Sequence, residues 1–253
     1  MSSRTQAAAA LAAIVSIAAS ASAHADPLVP EQPAPPPPDA PRGPVRLSNE
    51  TTFTRWASAL TRATTYARPS AAARRVGRLR LLTEDGFPEV YVLLTSRRDV
   101  QGTSWVRLRL PQRPNNVTGW VRRGALGPFR LVRTRLVVSR RTLRVTLYER
   151  GKRRFRTRVG VGAPSTPTPA GSFWIREKFH VSGNSLYGTR AIGTAAYSNA
   201  LTDWPGGGVI GLHGTDAPAL IPGRPSHGCI RLRNPDIERL YALTPIGTPL
   251  RIK

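Results

Sequence analysis

The alternation of apolar and polar residues predicts short β-strands in the first half of the chain. Ser104 to Leu110 places apolar side chains at every second position, and Phe87 to Leu94 is rich in the residues that strands favour. Gly119 to Val121 follows a Pro-Asn-Asn turn signal. These elements predict a small β-domain over residues 48–130.

The second half of the chain carries a clearer strand pattern. Apolar and polar residues alternate on both sides of the Arg150-Gly151-Lys152 turn, which predicts a β-hairpin with one face on a core. Further strands are predicted at residues 136–138, 171–175, 208–212 and 249–252. Residues 131–253 are therefore expected to form a second, β-rich domain with few helices, which makes the fold class mainly β.

One helix is predicted near the carboxyl end. Asn234 is expected to be its N-cap, with Pro235 at the first helical position and acidic residues close behind. Ile237, Leu240 and Tyr241 would form its apolar stripe.

The first 47 residues predict export and a spacer. Residues 1–25 are typical of a signal peptide, with an apolar stretch from Ala7 to Ala19 and small-x-small cleavage candidates after it. An uncleaved anchor is the alternative, and only in that case would a membrane be a partner. Residues 26–47 form a linker that contains nine prolines from Pro27 to Pro44 and favours an extended conformation.

The formal net charge of +24 makes anionic partners plausible. Residues 48–131 carry 15 basic and 5 acidic residues, and residues 132–253 carry 20 and 6, so both domains are basic. For an exported protein, anionic cell-wall polymers are a more natural partner than nucleic acid, which we do not expect. Arginine supplies 35 of the 38 basic residues, so the charge is also compatible with surface solubilisation alone.

Cys229 is the only cysteine, so it has no internal disulfide partner. It lies in Ser226-His227-Gly228-Cys229, sixteen residues after His213. A thiol has a pKa of about 8.5, and a neighbouring histidine can take its proton to produce the nucleophilic thiolate. Two alternatives stay open: an inert buried thiol, and a zinc site with His213 and His227.

His213 is the stronger candidate for the base. It ends an apolar strand, and the carbonyl of Gly214 could hold its ring by one nitrogen. His227 would share a face with Cys229 only in an extended segment. Gly228 permits close approach of the backbone, and the amides of Gly228 and Cys229 could face a developing oxyanion.

The string His213-Gly214 followed by Ser226-His227-Gly228-Cys229 resembles the signature of L,D-transpeptidases with a YkuD-type catalytic domain. Val159 to Gly162, followed by Thr166 to Gly171, is also similar to that family. The resemblance covers about residues 132–253. Arg231 stands where many members have an asparagine.

The resemblance implies a peptidoglycan acyltransferase. Cys229 would attack a tetrapeptide stem at a diamino-acid carbonyl, His213 would move the proton, and the acyl group would pass to the side-chain amine of a second stem. His227, Gly228 and Gly214 would shape the site. Neither a cofactor nor a metal is implied. Transfer to water would instead give an L,D-carboxypeptidase.

Three further residues are candidate substrate contacts on the same resemblance: Ser226, Arg231 and Tyr187. Ser226 could equally fix the turn, and Tyr187 and Trp204 could be ordinary packing. The non-catalytic alternatives are a cell-wall-binding protein that keeps the fold and a structural protein that binds polyanions.

The first domain resembles a bacterial Src-homology-3-like barrel at three stretches: residues 66–70, 105–108 and 119–121. In that family such modules often bind cell-wall peptides or glycans. A packing or spacer domain with Trp105 and Trp120 in its core is an equal alternative.

Overall fold

The computed structural model describes residues 43–181, 186–202 and 205–253. Contacts divide the chain into Met1–Ala40 and Pro41–Lys253, and only the second unit contains described residues. The predicted signal peptide, most of the linker and Trp204 lie outside the described residues.

A first sheet extends from residue 45 to residue 132. In chain order its strands are β1 (Val45–Arg46), β2 (Thr54–Ser58), β3 (Thr64–Tyr66), β4 (Arg75–Arg78), β5 (Val90–Arg98), β6 (Ser104–Arg109), β7 (Thr118–Arg122) and β8 (Arg130–Val132). They pair in the order β4-β3-β7-β6-β5-β2-β8, with β1 added beside β5. Strands β5, β6 and β7 correspond to the predicted ones. The likeness to a Src-homology-3 barrel stays a prediction.

A second sheet is formed by residues 134–252. Its strands are β9 (Thr134–Ser139), β10 (Arg144–Glu149), β11 (Lys152–Arg158), β12 (Gly160–Gly162), β13 (Gly171–His180), β14 (Arg190–Tyr197), β15 (Val209–His213), β16 (Gly223–Ser226), β17 (Ile230–Arg231) and β18 (Pro249–Ile252). Their order is β11-β10-β9-β18-β13-β14-β15-β17-β12-β16. The mainly β fold is confirmed.

The predicted hairpin is strands β10 and β11. Along β9 and β10 every second residue is buried, and Val145 and Leu147 lie opposite Val138 and Leu136. This alternation places one face of the hairpin on the core, while its arginines lie mostly on the other face.

Helix α1 (Asn234–Leu243) buries Ile237 and Leu240, as its stripe predicts. The predicted N-cap is wrong. Arg233 occupies the cap position with no side-chain hydrogen bond, and Asn234 Oδ1 instead accepts the Thr215 N–H at 3.1 Å. No helix in the described part of the chain is both long and apolar enough to cross a membrane.

The two sheets share a core. Trp56, Val90 and Val92 of the first sheet belong to the same apolar cluster as the buried residues of the second. Trp174 Nε1 donates to the Val90 carbonyl at 2.8 Å. Gly247 has φ of 81°, and an added Cβ would lie 2.1 Å from the Trp56 ring, so only glycine fits this close approach.

A buried ion cluster joins the sheets beside this core. Arg176 on β13 donates through Nε to Glu89 Oε1 at 2.9 Å and through Nη2 to Glu84 Oε2 at 2.9 Å, and it also pairs with Glu89 Oε2. Burial alone would lower the pKa of Arg176, but the two carboxylates outweigh burial and raise it. Burial would raise the pKa of Glu84, yet Arg176, Tyr197 and Arg80 lower it to about 2.

We predict that Arg176→Met lowers the free energy of unfolding by about 3–5 kcal/mol, because it leaves the buried Glu89 carboxylate without its counter-charge. Arg154→Met is the control, since the side chain of Arg154 is 56% exposed in its pair with Glu149 and should contribute under about 1 kcal/mol. Urea denaturation measures both variants. Adding Glu89→Met should recover part of the loss, and equal effects of the two single variants would contradict the prediction.

Candidate active site

His213 ends strand β15, and Cys229 immediately precedes the adjacent strand β17. The two strands run parallel, with Leu212 opposite Ile230 and His213 opposite Arg231. Cys229 therefore lies beside Gly211, whose N–H points to the thiol sulfur at 3.5 Å. Because residues two apart on a strand share a face, Gly211 and His213 face the same side.

The His213 ring is buried and fixed in one orientation. Its Nδ1 lies 2.6 Å from the Gly214 carbonyl oxygen. A carbonyl only accepts, so the neutral ring carries its proton on Nδ1, and Nε2 is left with its lone pair. The pKa of His213 is lowered to about 4, mainly by burial; the Gly214 bond opposes this shift, and the Arg231 charge adds to it. The ring is therefore a neutral base at pH 7.

The Cys229 thiol is also neutral at rest. Burial raises its pKa above the ordinary value, and the Gly211 N–H and the Arg231 charge offset only part of this effect. The structure thus holds a thiol and an unprotonated imidazole, not a thiolate and an imidazolium.

The turn before Cys229 is held by its own hydrogen bonds. Ser226 Oγ donates to the Cys229 carbonyl at 2.5 Å and accepts the Gly228 N–H at 3.2 Å. Gly228 has φ of 125°, and an added Cβ would lie 2.8 Å from Ile210 Cδ1. The Gly228 amide is thus directed into the turn, which differs from the expectation that it faces an oxyanion.

Thr168 is a supporting residue that sequence reasoning missed. Its buried hydroxyl donates to the Gly228 carbonyl at 2.7 Å and accepts the Gly162 N–H at 2.9 Å. This side chain ties the Thr-Pro-Thr-Pro segment to the turn that carries the thiol. The motif formed by Thr166 to Gly171 contains this threonine, but its residue pattern does not reveal a contact with Gly228, sixty residues away.

Asn234 supports the histidine in a similar way. Its bond to the Thr215 N–H fixes the chain just after His213. An added Cβ at Gly214 would lie 2.2 Å from Asn234 Oδ1, and one at Gly188 would lie 2.1 Å from it. Gly214 is therefore required by packing. The helix-start pattern around Asn234 concealed this long-range contact.

A cavity of about 730 Å³ opens over this site. It is lined by six of the predicted site residues: Tyr187, His213, Ser226, His227, Cys229 and Arg231. Gly214 and Gly228 lie next to His213 and Cys229 in the chain. The predicted site residues are thus brought to one place.

The lining residues differ in exposure. Tyr187 is 47% exposed, and its ring centroid lies 4.8 Å from that of His213. His227 is exposed, and Ser226 is buried in the turn. Arg231 is half-buried, and its buried Nε has no hydrogen-bond partner among the described residues.

The site offers no cluster of metal ligands in residues 43–181, 186–202 and 205–253. Within these ranges no group of three or more His, Cys, Asp and Glu side chains could hold a metal ion.

Comparison with known proteins shows what the second half of the chain is similar to. Residues 133–252 match the family model of the YkuD-type L,D-transpeptidase catalytic domain. This part of the chain is therefore similar to the L,D-transpeptidase catalytic domain.

Curated relatives carry the same family name. The YkuD protein of Bacillus subtilis, named provisionally as an L,D-transpeptidase, is 33% identical over 94 residues, which are 37% of this chain and 50% of that protein. Its counterpart in Bacillus licheniformis is 32% identical over 125 residues, 49% of this chain and 66% of that protein. The chain therefore spans about half to two thirds of the length of these relatives.

Among solved structures, the catalytic domain of an E. faecium L,D-transpeptidase is 26% identical. The match covers 47% of this chain and 96% of that one, with a TM-score of 0.35.

We predict that alkylation of Cys229 by iodoacetamide shows no reactive plateau between pH 5 and 7. His213 is protonated only below about pH 4, and the thiol loses its proton only above its ordinary pKa. The rate, followed by intact-protein mass spectrometry, should rise steadily into the alkaline range. The control is the same protein in urea, whose single thiol should titrate at lower pH. A native plateau near pH 6 would mean that a thiolate–imidazolium pair exists at rest.

Proposed function

We propose that the protein is a peptidoglycan L,D-transpeptidase that uses Cys229 as its nucleophile. The observation that carries the proposal is a lone thiol and a buried, neutral imidazole, whose Nδ1 is held by a backbone carbonyl, at adjacent strands. Both side chains line one cavity. They lie in the segment that matches the L,D-transpeptidase catalytic domain.

The first half-reaction forms a thioester. Cys229 Sγ attacks the carbonyl carbon of a diamino acid at the third position of a tetrapeptide stem, and the bond from that carbon to the D-alanine nitrogen breaks. His213 Nε2 takes the thiol proton and gives it to the departing amine. Because the Gly228 N–H is bonded to Ser226, the Cys229 N–H is the amide we propose for the oxyanion.

The second half-reaction consumes the thioester. The side-chain amine of a second stem attacks the same carbonyl carbon, a new C–N bond forms, and the C–S bond breaks. The amine proton returns through His213 to the sulfur. The product is a cross-link between two third-position residues. Water in place of the amine would give the L,D-carboxypeptidase, the nearest alternative.

The remaining site residues would bind the substrate or hold the catalytic side chains in position. Arg231, with its unpaired buried Nε in the cavity, fits a substrate carboxylate or carbonyl. Tyr187 and His227 would contact the stem from the rim. Ser226 and Gly228 would hold the turn, and Gly214 would hold His213.

The proposed setting is the extracytoplasmic side of the cell envelope. Peptidoglycan stems are the proposed substrate, and export by the segment 1–25 would deliver the protein to them. The Pro-rich linker 26–47 and the domain at 48–130 would extend the catalytic domain 131–253 towards the wall. No cofactor takes part in the proposed steps.

We expect the purified protein to release D-alanine from a disaccharide-tetrapeptide and to form a dimer, both detected by mass spectrometry. Cys229→Ala should abolish both products, because no other thiol is present in the chain. Release of D-alanine without a dimer would identify the carboxypeptidase. No D-alanine release from the wild-type protein would reject the enzyme and favour a wall-binding protein.

The two histidines provide an internal control for this assay. His213→Ala should reduce acylation by about 100-fold or more, whereas His227→Ala, at an exposed position, should reduce it far less. Equal losses would mean that the base is not His213.

A second candidate function is polyanion binding, which one surface favours. A groove of about 520 Å³ on the outer face of β9, β10 and β11 has only basic residues among its charged lining. These are Arg141, Arg144, Arg153, Arg156 and Lys253. Such a groove suits the repeated phosphates of an anionic wall polymer.

We expect Arg153→Gln/Arg156→Gln to weaken binding of inorganic polyphosphate by about tenfold at low salt, since two phosphate contacts are lost. Arg74→Gln/Arg75→Gln, an exposed arginine pair on the first sheet, is the charge-matched control. Fluorescence anisotropy across salt concentrations measures both. Equal losses would show that net charge, not the groove, drives binding.

A further inference from the structure

Glu177 is a carboxylate in the active-site cavity that the proposed steps do not use. It lies on β13, is 2% exposed, and lines the same cavity as Cys229 and His213. Asp85, in the turn between β4 and β5, lines that cavity as well. Acidic side chains are scarce in this strongly basic chain, and two of them in one cavity favour binding of a positively charged ligand.

The strand register places Glu177 in one row with the thiol. Glu177 pairs with Gly193 on β14, and Gly193 pairs with Gly211 on β15. The Gly211 N–H then reaches Cys229 Sγ. Directly opposite residues face the same side, and strands lie about 4.8 Å apart, so the backbones of Glu177 and Gly211 are separated by about 10 Å.

Gly193 and Gly211 form the part of the cavity wall between Glu177 and Cys229, and neither has a side chain. An added Cβ at Gly193 would lie 2.5 Å from Glu177 Oε1, so the carboxyl leans over this strand towards Gly211. The cavity therefore has a flat backbone floor with a thiol at one side and a carboxyl at the other.

The carboxyl has one oxygen without a partner. Thr83 Oγ1 donates to Oε2 at 2.5 Å, whereas the buried Oε1 has no hydrogen-bond partner among the described residues. The adjacent Arg176 is engaged by Glu89 and Glu84. Burial raises the pKa of Glu177 to about 7, Asp85 and Glu89 act in the same direction, and Thr83 and Arg176 oppose them. An unpaired buried carboxylate is costly unless a cation binds it.

We propose that Glu177, with Asp85, forms a subsite for the primary ammonium group of a diamino-acid side chain. The inference rests on the proposed function and specifies its substrate: a stem whose third residue ends in a free amine. The ammonium could belong to the donor, whose carbonyl would lie at Cys229, or to the acceptor before it attacks.

Direct binding tests the subsite without catalysis. In a Cys229→Ala background, calorimetry compares a stem tetrapeptide with a free side-chain amine and the same peptide with that amine acetylated. We expect the free amine to bind about tenfold tighter, as a charge-assisted hydrogen bond warrants. Adding Glu177→Gln should reduce this preference to less than about twofold while keeping the Thr83 bond.

Glu149→Gln in the same background is the control, because it makes the same chemical change on an exposed hairpin strand. It should leave the preference unchanged. Equal affinity for the two peptides in the Cys229→Ala protein, no detectable binding of either, or a preference that survives Glu177→Gln would each overturn the proposal.

Two kinetic experiments then show whether the ammonium group that binds Glu177 belongs to the donor or to the acceptor. If the donor's ammonium binds, Glu177→Gln slows acylation by the free-amine donor but not by the acetylated donor. If the acceptor's ammonium binds, acylation is unchanged and the ratio of dimer to hydrolysed product falls. Lack of any effect in both arms contradicts the subsite.

Failure of the subsite is separable from failure of the proposed function. A wild-type protein that never forms an acyl-enzyme, but whose Cys229→Ala variant prefers the free amine through Glu177, retains the subsite and loses the transpeptidase. An active enzyme that is indifferent to Glu177→Gln retains the transpeptidase and loses the subsite.

Discussion

The architecture depends on a guanidinium that is buried between the two sheets. Arg176 has no exposed side-chain surface, and its charge is paired by Glu84 and Glu89 from the segment between β4 and β5. Removing a cation from water is costly, so the sheets cannot slide past each other without leaving a charge unpaired. The same strand, β13, also carries Trp174 and Glu177, each bonded to the first sheet. One strand therefore couples both sheets to the active-site cavity.

The loop between β6 and β7 also braces the rim of that cavity. Arg113 donates to the carbonyls of Ser198, Leu201 and Gly207, and Asn115 bonds Tyr197 through both the backbone N–H and the carbonyl. Ser198 and Leu201 line the cavity. Through these contacts, the first domain supports the candidate site structurally. A site held by rigid elements keeps its reacting groups in fixed relation.

Burial and charge give the cavity its chemical character. Desolvation keeps both His213 and Cys229 neutral. Charged groups lie at different parts of the lining, with Arg231 adjoining the strand of His213 and Glu177 two strands away across a glycine floor. The proposed stem peptide, which carries both carboxylates and an amine, would meet both kinds of charge in this cavity.

The sequence by itself determined the local features of this protein: the β10–β11 hairpin, helix α1, the last strand, and the motif residues His213 and Ser226 to Cys229. The alternation of apolar and polar residues and the residues that favour turns involve only a few neighbouring positions, so both can be recognised in a single sequence. Only the tertiary structure decided the partners of Arg176, Thr168, Glu177 and Asn234. Asn234 matched a helix cap locally, yet its side chain holds Thr215, nineteen residues away. Glu177 accepts a hydrogen bond from Thr83, 94 residues away in the chain. Such contacts produce no periodic sequence pattern, because the two residues become neighbours only in the folded structure.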